Sequence, residues 1–230
     1  MSEIIPTNTC PPDLAELSQR SMAFTQFSKY VHLDVGDGSF TSVISWPCGE
    51  KQFAELLTMA SGQSKLPYSN EISYEVHLMV NEPQDLGLQF ARAGAKRIIA
   101  HVEAFQDATE AHSSLDLWKD GGAREVGLAI LIDTPLTVIE PLVPICDVIQ
   151  LMSIETIGAQ GAKFDPRVIA RIEELHKKFP KKVLAVDGGV NEKNIALLTA
   201  AGASRFCVGA AIVKAKNPAN AYRKIVELVG

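Results

Sequence analysis

The sequence predicts an α/β chain folded as a single closed (β/α)8 barrel, and three observations carry that prediction. Short runs rich in Val, Ile and Leu alternate with helix-like stretches along the whole chain, the pattern of a parallel sheet with crossover helices. The runs are nearly continuous in apolar residues, as suits strands buried on both faces. The length of 230 residues fits one barrel, and no low-complexity linker interrupts it, so residues 1–230 are expected to form one catalytic domain.

In chain order, the first strand is expected over residues 4–7, before a helix in DLAELSQRSMAFTQF whose apolar residues recur every three or four positions. The second strand, 30–35, reads YVHLDV, and the third, 74–80, reads YEVHLMV. Between them the stretch 61–71, with Gly62, Pro67 and Asn70, is expected as a surface loop. EPQDLGLQFARAG follows as a helix closed by Gly94, and the next two strands fall at 97–102 and 126–131. The sixth strand, 148–154, leads to the helix DPRVIARIEELHKKF, where Asp165 can cap with Pro166 at the first helical position. Strand seven, 183–186, precedes the helix NEKNIALLTAAG, ended by Gly202, and strand eight spans 205–208. An open doubly wound sheet is the competing arrangement. It would favour G-x-G-x-x-G after the first strand, where this chain has PTNTCPP.

Composition narrows the function. With 47% hydrophobic and 21% charged residues and no apolar run near the eighteen residues of a membrane span, the chain is expected to be soluble, without membrane contact. MSEIIPTNTC has no basic segment leading into a long apolar stretch, so cytoplasmic residence is the default. A net charge of −5 argues against a nucleic-acid partner. The basic cluster of His176, Lys177, Lys178, Lys181 and Lys182 reads as a solvated helix end, where cations are favoured. Cys10, Cys48, Cys146 and Cys207 are widely spaced with no C-x-x-C pair, and are expected to be reduced and mostly buried. No Cys/His arrangement for a catalytic thiol is visible.

Four residues near strand ends carry the chemistry. His32 and Asp34 are two apart, so in a strand they face the same side, which in a barrel can be the lumen. His77 ends a second run, and Asp187 ends a third, KVLAVDGG, so closure of a barrel can bring all four to the mouth where barrel enzymes keep their chemistry. Each alone is better read as a satisfied core histidine or a loop cap. Together they are harder to explain that way, because buried carboxylates are costly unless paired or bound to a cation. Two imidazoles and two carboxylates suit a divalent transition metal, and two carboxylates beside one metal can also move protons.

VHLDVGDGSF, YEVHLMVNEP, FARAGAKRIIAHVEA, LMSIE and VDGGVNEKNIALLTAAGASRFCVGAAI, taken in order, resemble the ribulose-phosphate 3-epimerases across almost the whole chain. The resemblance implies a TIM barrel holding one divalent ion, commonly zinc or iron, on His32, Asp34, His77 and Asp187; manganese and cobalt also accept such donors. The implied reaction inverts C3 of a ketose phosphate through a cis-enediolate, most simply D-ribulose 5-phosphate to D-xylulose 5-phosphate in the pentose phosphate pathway. Asp34 and Asp187 pass protons on opposite faces of the sugar. Met79 and Met152 match two methionines that line the reacting carbons in that family, and homo-oligomers, dimers or hexamers, are expected.

The match is uneven. The family's third methionine, in H-x-D-x-M-D-G, is Gly36 here, which is expected to remove bulk beside the metal. The phosphate loop after strand six, near N-P-G-F-G-G-Q-x-F in the family, reads IETIGAQGAKF, keeping Gly158 and Gly161. Gly188, Gly189 and Gly209 match, while Ala210 replaces the usual Ser, so backbone amides remain available to phosphate. The family's P-S-I-L-S-x-D becomes PTNTCPPD, leaving Thr7, Asn8 and Cys10 to reach the substrate, with Asn8 a candidate for a sugar hydroxyl; residues 42–46 are expected to reshape the entrance. These changes keep two alternatives open: a six-carbon ketose phosphate of the allulose 6-phosphate type as substrate, or a barrel that binds sugar phosphate without turnover.

Overall fold

The computed structural model describes residues 2–230. Eight parallel strands, β1 (Glu3–Asn8), β2 (Tyr30–Gly36), β3 (Ser73–Met79), β4 (Arg97–His101), β5 (Glu125–Ile130), β6 (Val148–Met152), β7 (Val183–Asp187) and β8 (Arg205–Val208), pair in chain order. β8 returns to pair with β1, which closes the barrel. Every expected strand is present, with ends displaced by at most two residues. Residues 61–71 contain no helix or strand, as their Gly and Pro content predicted.

Helices α1 (Leu14–Phe24), α2 (Glu50–Ala60), α3 (Pro83–Arg92) and α4 (Ala108–Asp120) cover the first four strands, and α5 (Arg167–Lys178), α6 (Ile195–Ala201), α7 (Ala210–Val213) and α8 (Pro218–Glu227) the last three. The crossover from β5 to β6 is the exception to eight strand and helix pairs. It is made of two 3-10 segments, Leu136–Val138 and Glu140–Ile145, because Pro135, Pro141 and Pro144 remove the N–H donors a continuous α-helix needs. The Asp165 carboxylate accepts from the Arg167 N–H at 2.9 Å at the start of α5, but Pro166, expected at the first helical position, takes the cap position just before it.

The main core lies between barrel and helices. Trp46, Phe90 and Trp118 are fully buried there, each contributing roughly 2–3 kcal/mol of apolar burial. α3 and α4 approach closely because position 87 is glycine; a Cβ there would lie 2.4 Å from the Trp118 ring, whose indole N–H donates to the Gln84 carbonyl.

Inside the barrel the strand register stacks three levels. At the amino-terminal end Glu75, Arg97 and Glu125 are register partners on β3, β4 and β5, and Glu3 pairs with Arg205 across the β1–β8 closure. Ile99, Ala129, Val148 and Ala185 form a small apolar plug in the middle. At the carboxyl end Asp34 is registered with His77, and Met152 with Asp187. No helix among the described residues is long and apolar enough to cross a membrane.

Candidate metal and acid/base centre

The alternation of β2 sends His32 and Asp34 inward, β3 does the same for Glu75 and His77, and β7 ends on Asp187. One donor atom from each of His32, Asp34, His77 and Asp187 lies within 4.8 Å of all the others. His77 Nδ1 is 3.0 Å from Asp34 Oδ1 and 3.7 Å from Asp187 Oδ2, and His32 Nε2 is 3.2 Å from Asp34 Oδ1. All four are buried.

The donor set fits a divalent ion. His32 is held from behind: its Nδ1 is 2.8 Å from Glu75 Oε1, and Glu75 is anchored in turn by Arg205 at 3.2 Å and Arg97 at 3.5 Å. That leaves His32 Nε2 buried, without a hydrogen-bond partner, and aimed at Asp34. A carboxylate behind an imidazole is the usual way a protein orients a metal-binding nitrogen.

The two carboxyls are pulled apart. Burial works against the charge of Asp34, yet the His32 and His77 imidazoles beside it hold its carboxyl well below the ordinary range. Burial and, next, the charge of Asp34 push Asp187 up to about 6. Unequal carboxyls at one site provide a proton holder beside a proton acceptor.

These groups open onto a cavity of about 380 Å³. Met79 and Met152 line its floor, and Gly158, Gly161, Gly188, Gly189, Gly209 and Ala210 line its far wall, so the loops after β6, β7 and β8 converge as the sequence suggested. Gly188 and Gly189 have φ of 107° and 65°, which the strand-to-loop turn requires and side-chain-bearing residues seldom adopt.

Three expectations are corrected. Asn8 does not face the cavity: its amide donates to the Leu17 carbonyl at 3.2 Å and to Ser21 Oγ at 3.4 Å, on the helix side of β1. The period of two gives the inward position to Thr7, which lines the cavity with a buried hydroxyl that has no partner among the described residues. Gly36 does not leave extra space, since a Cβ there would sit 2.5 Å from the Val43 carbonyl and 2.7 Å from the Thr41 methyl. Thr41 also donates to the Ile157 carbonyl at 3.0 Å, so the loop after β2 fills the gap and clasps the loop after β6. Of the free cysteines only Cys146 and Cys207 are buried; Cys10 and Cys48 are half-buried.

The fold also joins residues that the sequence reading left apart. Cys207 Sγ is 3.2 Å from His32 Nδ1, a Cys/His contact invisible in linear spacing; burial pushes that thiol up, so it remains protonated. His101, at the end of β4, places Nε2 3.0 Å from His77 Nε2, with Nδ1 3.3 Å from Glu103. Burial pulls His101 down to about 4 against the hydrogen bond to Glu103. The signal was available as H-x-E at a strand end, the counterpart of H-x-D on β2.

Fold and site together have the form of a barrel enzyme: ionisable side chains at the carboxyl ends of the strands, beside a glycine-walled pocket. Residues 10–213 match the Ribulose-phosphate 3 epimerase family. Ribulose-phosphate 3-epimerase of Candida glabrata is 31% identical over 197 residues, covering 83% of this chain and 77% of the relative. That of Aquifex aeolicus is 32% identical over 203 residues, covering 86% and 84%. The chain belongs to the ribulose-phosphate 3-epimerase family, isomerases that act on carbohydrates. Among solved structures, 3-hexulose-6-phosphate synthase from Salmonella typhimurium superposes with a TM-score of 0.69 at 16% identity, covering 100% of this chain and 98% of that one. Orotidine 5'-monophosphate decarboxylase from Sulfolobus solfataricus gives 0.62 at 13%, covering 100% and 98%. At such identities these two likenesses speak for the barrel alone.

Proposed function

We propose that the protein inverts C3 of D-ribulose 5-phosphate to give D-xylulose 5-phosphate, with residues 1–230 as one catalytic domain. The observation that carries this reading is the pair of oppositely tuned carboxyls, Asp34 and Asp187, inside a four-donor cluster that opens on the glycine-walled cavity. Asp34 and Asp187 act on opposite faces of C3, one taking its proton while the other returns a proton from behind. His32, Asp34, His77 and Asp187 would hold one divalent ion, zinc or iron by the chemistry of the donors, which would supply positive charge against the negative charge left when that proton is removed.

Thr7 presents its unpartnered hydroxyl to the sugar, and Met79 and Met152 provide an apolar floor that does not compete for protons. The phosphate goes to the loop amides around Gly158, Gly188 and Gly209. Exposed Lys214 adds charge there, its Nζ 3.4 Å from where a Cβ of Gly161 would lie. Because Thr41 and Val43 occupy the space at Gly36, the sugar end has not been enlarged, which favours a five-carbon substrate over a six-carbon one.

The test is a panel of ketose phosphates assayed with several metals, with proton exchange at C3 followed in deuterated water. Exchange and turnover are expected on ribulose 5-phosphate. A preference for allulose 6-phosphate would overturn the substrate, and binding without exchange would overturn catalysis.

A further inference from the structure

We propose that His101 and Glu103 form a positioning relay that fixes the tautomer of His77, so that His77 Nδ1 presents a lone pair to the metal; this rests on the metal role proposed above. His101 ends β4, the strand next to the one carrying His77, and the two Nε2 atoms face each other at 3.0 Å. Only one hydrogen fits between them. On the far side of the His101 ring, Nδ1 faces Glu103 Oε2 at 3.3 Å, while Glu103 Oε1 accepts from the Leu131 N–H at 2.8 Å. An ionised carboxylate only accepts, so the hydrogen on that contact belongs to His101 Nδ1. The neutral ring then offers its Nε2 lone pair, and the hydrogen between the two imidazoles belongs to His77 Nε2. His77 Nδ1, which points at Asp34 and Asp187, is left as an acceptor toward a cation.

Water cannot replace this relay, because His77 and His101 are both fully buried and the Phe40 ring packs against His101, tilted by 42° with centroids 4.8 Å apart. The two metal-binding imidazoles are therefore braced differently. His32 leans directly on Glu75, whereas His77 reaches a carboxylate only through a second imidazole.

The experiment compares wild type with His101→Leu, His101→Gln and Glu103→Gln. Zinc affinity is measured by competition with a chromophoric chelator, and ring nitrogen NMR reads the His77 tautomer. Melting of the chelator-treated proteins checks folding. His101→Leu is expected to weaken zinc binding by roughly 10- to 100-fold. His101→Gln is expected to restore most of it, since its carbonyl can accept from His77 while its amide donates to Glu103. In zinc-loaded wild type the hydrogen of His77 should sit on Nε2. A folded His101→Leu protein with wild-type affinity overturns the relay, as does a hydrogen on His77 Nδ1 in wild type, a result that needs no variant to fold. Wild type that binds no zinc would instead overturn the metal reading, and the relay with it.

Discussion

Two layers of buried charge lie in one barrel, and they are balanced in opposite ways. At the amino-terminal end Arg97 and Arg205 thread between Glu3, Glu75 and Glu125 at 2.7–3.5 Å, so carboxylates meet guanidiniums within the fold. At the carboxyl end Asp34 and Asp187 are buried but meet only imidazoles. Burying a carboxylate costs several kcal/mol unless it is compensated. The lower layer finds its counter-charges within the chain. Under the proposed function a divalent ion would supply the charge that the upper layer lacks, and that difference would separate a structural cluster from a reactive one.

The contrast can be broken first at its reactive end. Asp187→Asn should lower C3 proton exchange by about 10³-fold or more while the circular dichroism spectrum stays native, the scale of losing a general acid or base. Undiminished exchange would sink the two-carboxyl mechanism. At the amino-terminal end, Glu75→Gln should cost about 3 kcal/mol by urea unfolding, because it removes the fully buried carboxylate that both arginines share and loosens His32. A smaller effect is expected from the ion: adding zinc at a hundred times its dissociation constant to chelator-treated protein should stabilise it by about 2.7 kcal/mol. His77→Ala should lose that response, whereas a response unchanged in this variant would remove His77 from the ligand set.

The finest test is the sign of pH dependence in metal-free protein. Glu75 is buried, yet His32 and the two arginines hold it down to about 2, against an ordinary 4.5. Its stabilisation is present above pH 4.5 and lost as pH falls through 2. Asp187 is raised from 3.8 to about 6, so its contribution is greatest below pH 3.8 and lost as pH rises through 6. Denaturation midpoints of Glu75→Gln and Asp187→Asn, followed from pH 7 to 3, should therefore flatten the curve at opposite ends. Flattening at the same end would mean that the layers are not distinct.

The strands were legible because continuous apolar runs admit few alternatives, and the four-residue centre was legible because three of its members stand at strand ends with simple spacing. The crossover from β5 to β6 was harder to read, since its apolar residues recur at helical spacing while three prolines forbid an α-helix. Asn8 and Thr7 show a finer limit. Which of two adjacent residues faces the lumen depends on strand phase, and PTNTCPP has no apolar alternation to set it. Cys207 acquires meaning only through a neighbour 175 residues away along the chain, and the H-x-E at His101 becomes informative once His77, 24 residues away, is seen to face it.

The filling of Gly36 has a consequence for how this sequence can change. A methionine there would run into the Val43 carbonyl, and Thr41, which would also have to move, presses on Gly158, where a Cβ would lie 2.4 Å from its hydroxyl. Positions 36, 41 and 158 thus form an epistatic set. A methionine at position 36 cannot be accommodated by a single substitution, and a chimera that grafts a methionine-bearing β2 onto this barrel must carry the following loop with it.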